Sequence, residues 1–153
     1  MVKNSKKQGS FPSLTKSVSF HFIDVNPFLR DREKLRKWIF IVCNKHGVNL
    51  GQVSFNFCSD KYLLKMNRAY LKHDYYTDII TFDLGDRKTI SGDIYISIDR
   101  VRDNAMNLDN FIKDELHRVM IHGILHLLGF KDKSQKDAKL MRIQENESLS
   151  LLP

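Results

Sequence analysis

Residues 17–24 read SVSFHFID, with apolar and polar side chains alternating and two Phe and two β-branched residues among them. This pattern predicts a first strand, which Asn26-Pro27 ends. Over residues 28–44 the spacing changes: Leu29, Leu35, Trp38, Ile39 and Val42 recur at helical intervals among charges, with Gly47 as a stop. An amphipathic helix follows from that. Residues 51–58 (GQVSFNFC) alternate again as a second strand, and Ser59-Asp60 offers an N-cap for a short helix through Leu63, Leu64, Met66 and Tyr70. Residues 77–82 (TDIITF) and 93–98 (DIYISI) predict a third and fourth strand, joined through a Gly- and Asp-containing connector that suits an antiparallel hairpin. Two helices complete the chain, one over about 108–128 and one over about 134–149 capped by Ser134. The order β-α-β-α-β-β-α-α predicts an α+β single domain with helices packed on a small four-stranded mixed sheet.

The bulk figures agree with one domain. At 153 residues the chain can bury a core without disulfides. No apolar run approaches the roughly 20 residues of a bilayer-spanning helix, so no membrane partner is expected. Residues 1–16 are rich in Lys and Ser without an apolar signal segment; they read as a basic flexible tail before a domain over 17–153, and a cytoplasmic location is expected. Cys43 and Cys58 have neither CxxC spacing nor a framework count, which fits a reducing compartment. A net charge of +7 favours an anionic partner. That inference is weakened by Lys3, Lys6, Lys7 and Lys16, which put much of the excess on the tail.

The informative segment is IHGILHLLGFKD, residues 121–132. His122 and His126 stand four apart, so a helix puts both imidazoles on one face, one turn apart, within reach of a single ion. The plain alternative is that each is a core or surface histidine bonded to a carbonyl. Gly129 shifts the balance. It stands where a helix must stop and let the chain fold back, and Asp132 follows three residues later as a third ligand. Asp137 is the other carboxylate candidate, but it falls within the following helix and off the spacing. Three ligands on the penultimate helix and the turn after it leave a fourth position open, as in catalytic rather than structural zinc sites. The expected cofactor is one zinc ion, held by His122, His126 and Asp132.

The spacing is shared with the metzincin peptidases. In them a glutamate after the first histidine is the general base; here that residue is Gly123. A zinc peptidase is therefore the second reading. H-G-x-L-H-L-x-G-F closely resembles the signature of the YbeY family of ribosomal RNA endonucleases. Two further segments agree in order: Met66-Asn67-x-x-Tyr70 followed by Asp74-x-x-Thr77-Asp78-Ile79-Ile80-Thr81-Phe82, and Gly92-Asp93-Ile94-Tyr95-Ile96-Ser97. The resemblance implies a metal-dependent, single-strand-specific endoribonuclease. Its substrate would be precursor small-subunit (16S) ribosomal RNA at the 3′ end, its partner the ribosome, and its role rRNA maturation and ribosome quality control. No nucleotide cofactor is expected.

Two positions depart from the family pattern. Asp132 stands where the family usually has a third histidine, which lowers the net positive charge of the site by about one unit. Leu71 stands where the family commonly has an arginine, a residue suited to clamping phosphate; Lys72 beside it offers only a point charge. For the general base the resemblance offers Asp83, Asp78 and His73 as weak candidates. Glu115 shares a helical face with His122 and could orient it, whereas His117 is expected to be a surface residue or an indirect partner. His21 and His46 have no recognisable context. A non-haem iron oxygenase, with its two histidines and one carboxylate, and a ribosome-binding factor with a structural metal are the remaining readings.

Overall fold

The computed structural model describes residue 14 and residues 16–153. The expected tail over 1–16 lies almost wholly outside them; within it Leu14 is buried and Lys16 exposed. The elements are β1 (Val18–Phe22), α1 (Arg32–Lys45), β2 (Asn49–Cys58), α2 (Asp60–Met66) continued by a single π-helical turn (Asn67–Leu71), β3 (Ile79–Asp83), β4 (Thr89–Ser97), α3 (Ile98–Asn107), α4 (Ile112–Leu127) and α5 (Gln135–Leu149). The four strands form one mixed sheet in the order β1-β2-β4-β3. β1 and β4 each pair parallel with β2, and β3 runs antiparallel to β4, with Thr81 opposite Ile94. The α+β domain expected from the pattern is the one observed.

One expectation fails. Residues 98–107 form a helix, where the fourth strand was expected to run to 98 and the next helix to start near 108. Its buried stripe is Ile98, Val101 and Ala105, and the alternation of β4 runs on into Ile98, which hides where the helix starts. The available signal was Ser97, whose Oγ accepts from the Arg100 backbone N–H at 3.2 Å as an N-cap. Two other caps are as expected: Ser59 Oγ accepts from Tyr62 N–H at 3.2 Å and Ser134 Oγ from Asp137 N–H at 3.0 Å.

Period-two alternation sorts the strand side chains between the two faces of the sheet. Val53, Phe55 and Phe57 of β2 and Ile90, Ile94 and Ile96 of β4 join Leu35, Trp38, Ile39 and Val42 of α1 and Met120, Ile121 and Ile124 of α4 in the main core. Trp38 is fully buried, and its indole N–H donates to the Ser148 carbonyl at 2.7 Å, tying α5 to α1. A smaller cluster on the other face joins Leu63 of α2 to Cys58 and Ile80. Gly123 sets how closely α4 approaches the sheet. A Cβ there would lie 3.0 Å from the side chains of Ile79 and Ile94, so a residue without one lets the helix lie against β3 and β4.

Among the described residues no helix is long and apolar enough to cross a membrane.

Candidate metal centre

The second half of α4, residues 119–127, is buried nearly all round because it is wedged between the sheet and the outer helices. His122 and His126 are its half-exposed positions beside a cleft of about 550 Å³, whose walls include Asn67, Leu71, His73, Tyr75 and Asp78. Gly129 ends the helix with φ at +104°, a conformation that favours glycine. Its N–H donates to the His126 carbonyl at 3.0 Å, and Phe130 N–H donates to the Leu125 carbonyl at 3.0 Å. This reversal carries Asp132 back over the helix end. Asp132 Oδ2 stands 3.1 Å from His122 Nε2 and 3.3 Å from His126 Nε2, while the two Nε2 atoms are 3.0 Å apart.

The other nitrogen of each ring explains why these atoms face one another. His126 Nδ1 lies 3.0 Å from the Phe130 carbonyl and His122 Nδ1 lies 2.7 Å from Glu145 Oε2. A carbonyl and a carboxylate can only accept, so each Nδ1 carries the proton and each Nε2 presents its lone pair. Two lone pairs and a carboxylate oxygen converge on one point, which is repulsive without a cation. The residues fit one. Ligands about 2.0–2.1 Å from a tetrahedral zinc lie roughly 3.3–3.4 Å from one another, close to the separations here. Among the described residues His122, His126 and Asp132 are the group able to hold a metal ion. Asp137 is not in it; it lies in the first turn of α5.

Glu145 replaces Glu115 as the residue that orients His122. Glu115 is buried with Oε1 lacking a hydrogen-bond partner among the described residues. Burial pushes its carboxyl up, with Arg118 partly opposing. Glu145 comes from α5, twenty-three residues after His122, so no local spacing relates the two. The signal available was an acid on the buried stripe of a helix, with Met141 and Ser148 on either side. Arg118 holds the other oxygen of Glu145 at 3.0 Å. Burial raises the Glu145 carboxyl, but the hydrogen bonds from His122 and Arg118 outweigh it and hold it below the usual range. Burial also lowers His122, yet the bond and charge of Glu145, with Asp132 and Asp78, bring it above the ordinary imidazole value.

Glu145→Gln is expected to keep the fold and weaken the binding of added zinc by about 10- to 100-fold, the usual effect of losing a partner behind a metal-binding histidine. Competition against a chromogenic chelator measures it, and an unchanged affinity would make Glu145 a packing residue only.

The remaining candidates separate clearly. Asp78 is half-buried on the cleft wall. Burial raises its carboxyl, with His122 partly opposing, and Asn104 Nδ2 donates a long hydrogen bond to Oδ2 at 3.4 Å. Asp83 is exposed at the end of β3, its Oδ1 accepting from Gly85 N–H at 3.0 Å. His73 is exposed and bonded to the Tyr75 hydroxyl at 3.0 Å. His117 is a core residue against the Trp38 ring at 5.8 Å, not the surface or indirect partner expected. His46 packs edge-on against Phe130, and His21 bonds Ser19 at the surface. Gly123 faces the sheet, so a side chain following His122 would point into the core and away from His126 and Asp132.

The family model of endoribonuclease YbeY matches residues 25–152 of this chain. A protein of Cytophaga hutchinsonii named endoribonuclease YbeY is 50% identical over 136 residues, covering 88% of this chain and 95% of the relative. A Porphyromonas gingivalis protein of the same name is 54% identical over 121 residues, covering 79% of this chain and 80% of the relative. Among solved structures, the solution structure of TM1509 from Thermotoga maritima superposes with a TM-score of 0.59 at 24% identity over 88% of each chain. That likeness is one of fold.

Proposed function

The chain belongs to the YbeY endoribonuclease family, and from that premise we propose that it is a zinc-dependent, single-strand-specific endoribonuclease of ribosomal RNA maturation. On this reading it works in the cytoplasm with the ribosome, trims the 3′ end of the small-subunit RNA and serves ribosome quality control. The observation that carries the reading is the convergence of His122 Nε2, His126 Nε2 and Asp132 Oδ2 within 3.0–3.3 Å of one another beside an open cleft. Three donors with space in front of them suit catalysis; a closed structural zinc site uses four protein ligands.

When bound, the ion polarises a phosphoryl oxygen and acidifies a water. The chain's own residues supply the rest. Glu145 and the Phe130 carbonyl fix the tautomers and orientations of the two histidines. Asp78 is the group we assign to take the proton from the attacking water as its oxygen bonds to phosphorus, and to return that proton to the ribose oxygen whose bond to phosphorus breaks. Its burial raises its proton affinity above that of an ordinary carboxylate, which makes it the stronger base. Asp83 and His73 already bond within their own loops. Lys133, on the same wall, offers a cation to the phosphate backbone.

The test is cleavage of a single-stranded RNA, its duplex and casein by metal-loaded and chelator-stripped protein. Chelator-sensitive cutting of the single strand alone, with about one zinc per chain, is the expected result. Casein cleavage would return the peptidase reading, and tight RNA binding without cleavage would return the binding-factor reading. In the same assay Asp78→Asn is expected to cut about 100-fold more slowly, the lower end of what positioned proton transfer contributes. Its zinc content should stay at the wild-type level. Undiminished cleavage would remove Asp78 from the mechanism.

A further inference from the structure

Part of the cleft wall beside the metal centre is aromatic. His73 and Tyr75 both line it, with ring centroids 5.1 Å apart and planes at 19° to one another. The Tyr75 hydroxyl bonds His73 Nδ1 at 3.0 Å, yet Tyr75 remains 56% exposed. A stacked pair left open to solvent adds little to a core. It is nevertheless held firmly. Asn67, 1% exposed, donates from Nδ2 to the Tyr75 carbonyl at 2.9 Å, and its own carbonyl accepts from His73 N–H at 3.1 Å. Both residues of the pair are thereby pinned to one buried side chain and its backbone.

Asn67 opens the π-helical turn that closes at Leu71, and Lys72 follows with φ at +56°. Single π turns recur at functional sites, and a non-glycine residue at positive φ needs surrounding structure to hold it. Leu71, on the same wall and 42% exposed, adds an aliphatic surface beside the rings. Flat π faces and an aliphatic edge suit neither a phosphate, which needs cations, nor a ribose, which needs hydrogen bonds. They suit a nucleobase.

We infer that the His73–Tyr75 pair, pinned by Asn67, is a base-stacking subsite that seats one unpaired nucleobase of the RNA beside the scissile phosphate. The inference rests on the endoribonuclease reading above and adds to it the source of single-strand selectivity. A duplex keeps its base faces stacked on one another, whereas a single strand can splay one base onto an aromatic ring. Every base has a π face, so the subsite demands an unpaired nucleotide without demanding a sequence.

The experiment uses short single-stranded oligoribonucleotides in which a base-free ribose is moved one position at a time past the cut, assayed for binding by fluorescence anisotropy and for cleavage. With wild type, one position next to the cut should raise KM about 10- to 100-fold, the range of one base–aromatic stack, with kcat little changed. Tyr75→Ala should impose the same rise on intact RNA and none further on the base-free substrate. Tyr75→Trp and Tyr75→Phe, which keep a ring, should bind like wild type. Independent losses from the base-free site and Tyr75→Ala, a wild-type KM in Tyr75→Ala, or a loss of zinc from that variant would each make the pair structural and overturn the inference alone. Failure of metal-loaded wild type to cut any RNA would instead bring down the endoribonuclease reading and this subsite with it.

Discussion

On the reading proposed above, Asp132→Ala is expected to emerge from purification without zinc and to cut single-stranded RNA at least about 1,000-fold more slowly than wild type, while melting at nearly the temperature of metal-stripped wild type. A bound ion is worth several kcal/mol in the transition state of phosphoryl transfer, and each 1.4 kcal/mol is about tenfold in rate. Two histidines on one helix cannot hold the ion as three ligands do, because Asp132 supplies the only charged donor of the three. The cost to stability should be small. The Asp132 side chain is 38% exposed and lies in the turn between α4 and α5. Removing it also relieves the crowding of a carboxylate against two imidazole lone pairs. Asp132→His is the companion variant, since imidazole is as good a zinc ligand as carboxylate; it should retain the ion and much of the activity. Metal analysis and cleavage on the same preparations decide the matter. If Asp132→Ala keeps its zinc, the third ligand lies elsewhere and the turn after Gly129 loses its assigned purpose.

That expectation came from local sequence, and the reason is physical. His122, His126, Gly129 and Asp132 lie within one helix end and its reversal, so their relative positions follow from 3.6 residues per turn and one left-handed residue. The same locality made the strands legible, because the pleat sends successive side chains to opposite faces, and burial alternates along β4 accordingly. What escaped depends on contacts between distant elements. Glu145 meets His122 only because α5 packs back along α4. Glu115 has the right helical phase for His122 but is buried without reaching it. His117 was misread for a related reason: α4 buries nearly its whole circumference, so phase alone does not tell which side meets solvent. The helix over Ile98–Asn107 was missed because its first residue, Ile98, continues the alternation of β4 and hides where the strand ends.

Gly123→Glu is the second large effect, and it separates this site from a peptidase on structural grounds. The substitution writes H-E-x-x-H into α4, the spacing in which the glutamate serves as general base of a zinc peptidase. Here the Cβ would start 3.0 Å from Ile79 and Ile94, so the carboxylate would be driven into the sheet-facing core. Overpacking of this kind costs about 1–3 kcal/mol, and an unpaired buried charge costs several kcal/mol more. Together these rival the whole 5–15 kcal/mol that typically holds a domain folded. Gly123→Ala provides the contrast. Its methyl meets Cδ1 of Ile79 and both Cδ1 and Cγ2 of Ile94 at 3.0 Å, a tightness that a helical Gly-to-Ala gain of about 1 kcal/mol offsets, so its stability should stay within about 1 kcal/mol of wild type. Thermal melting of the two variants should show alanine near wild type and glutamate unfolded or aggregated. A Gly123→Glu protein that folds and cuts casein would mean that this position faces the cleft after all. The absence of a glutamate after His122 would then be a choice of substrate rather than a condition of the fold.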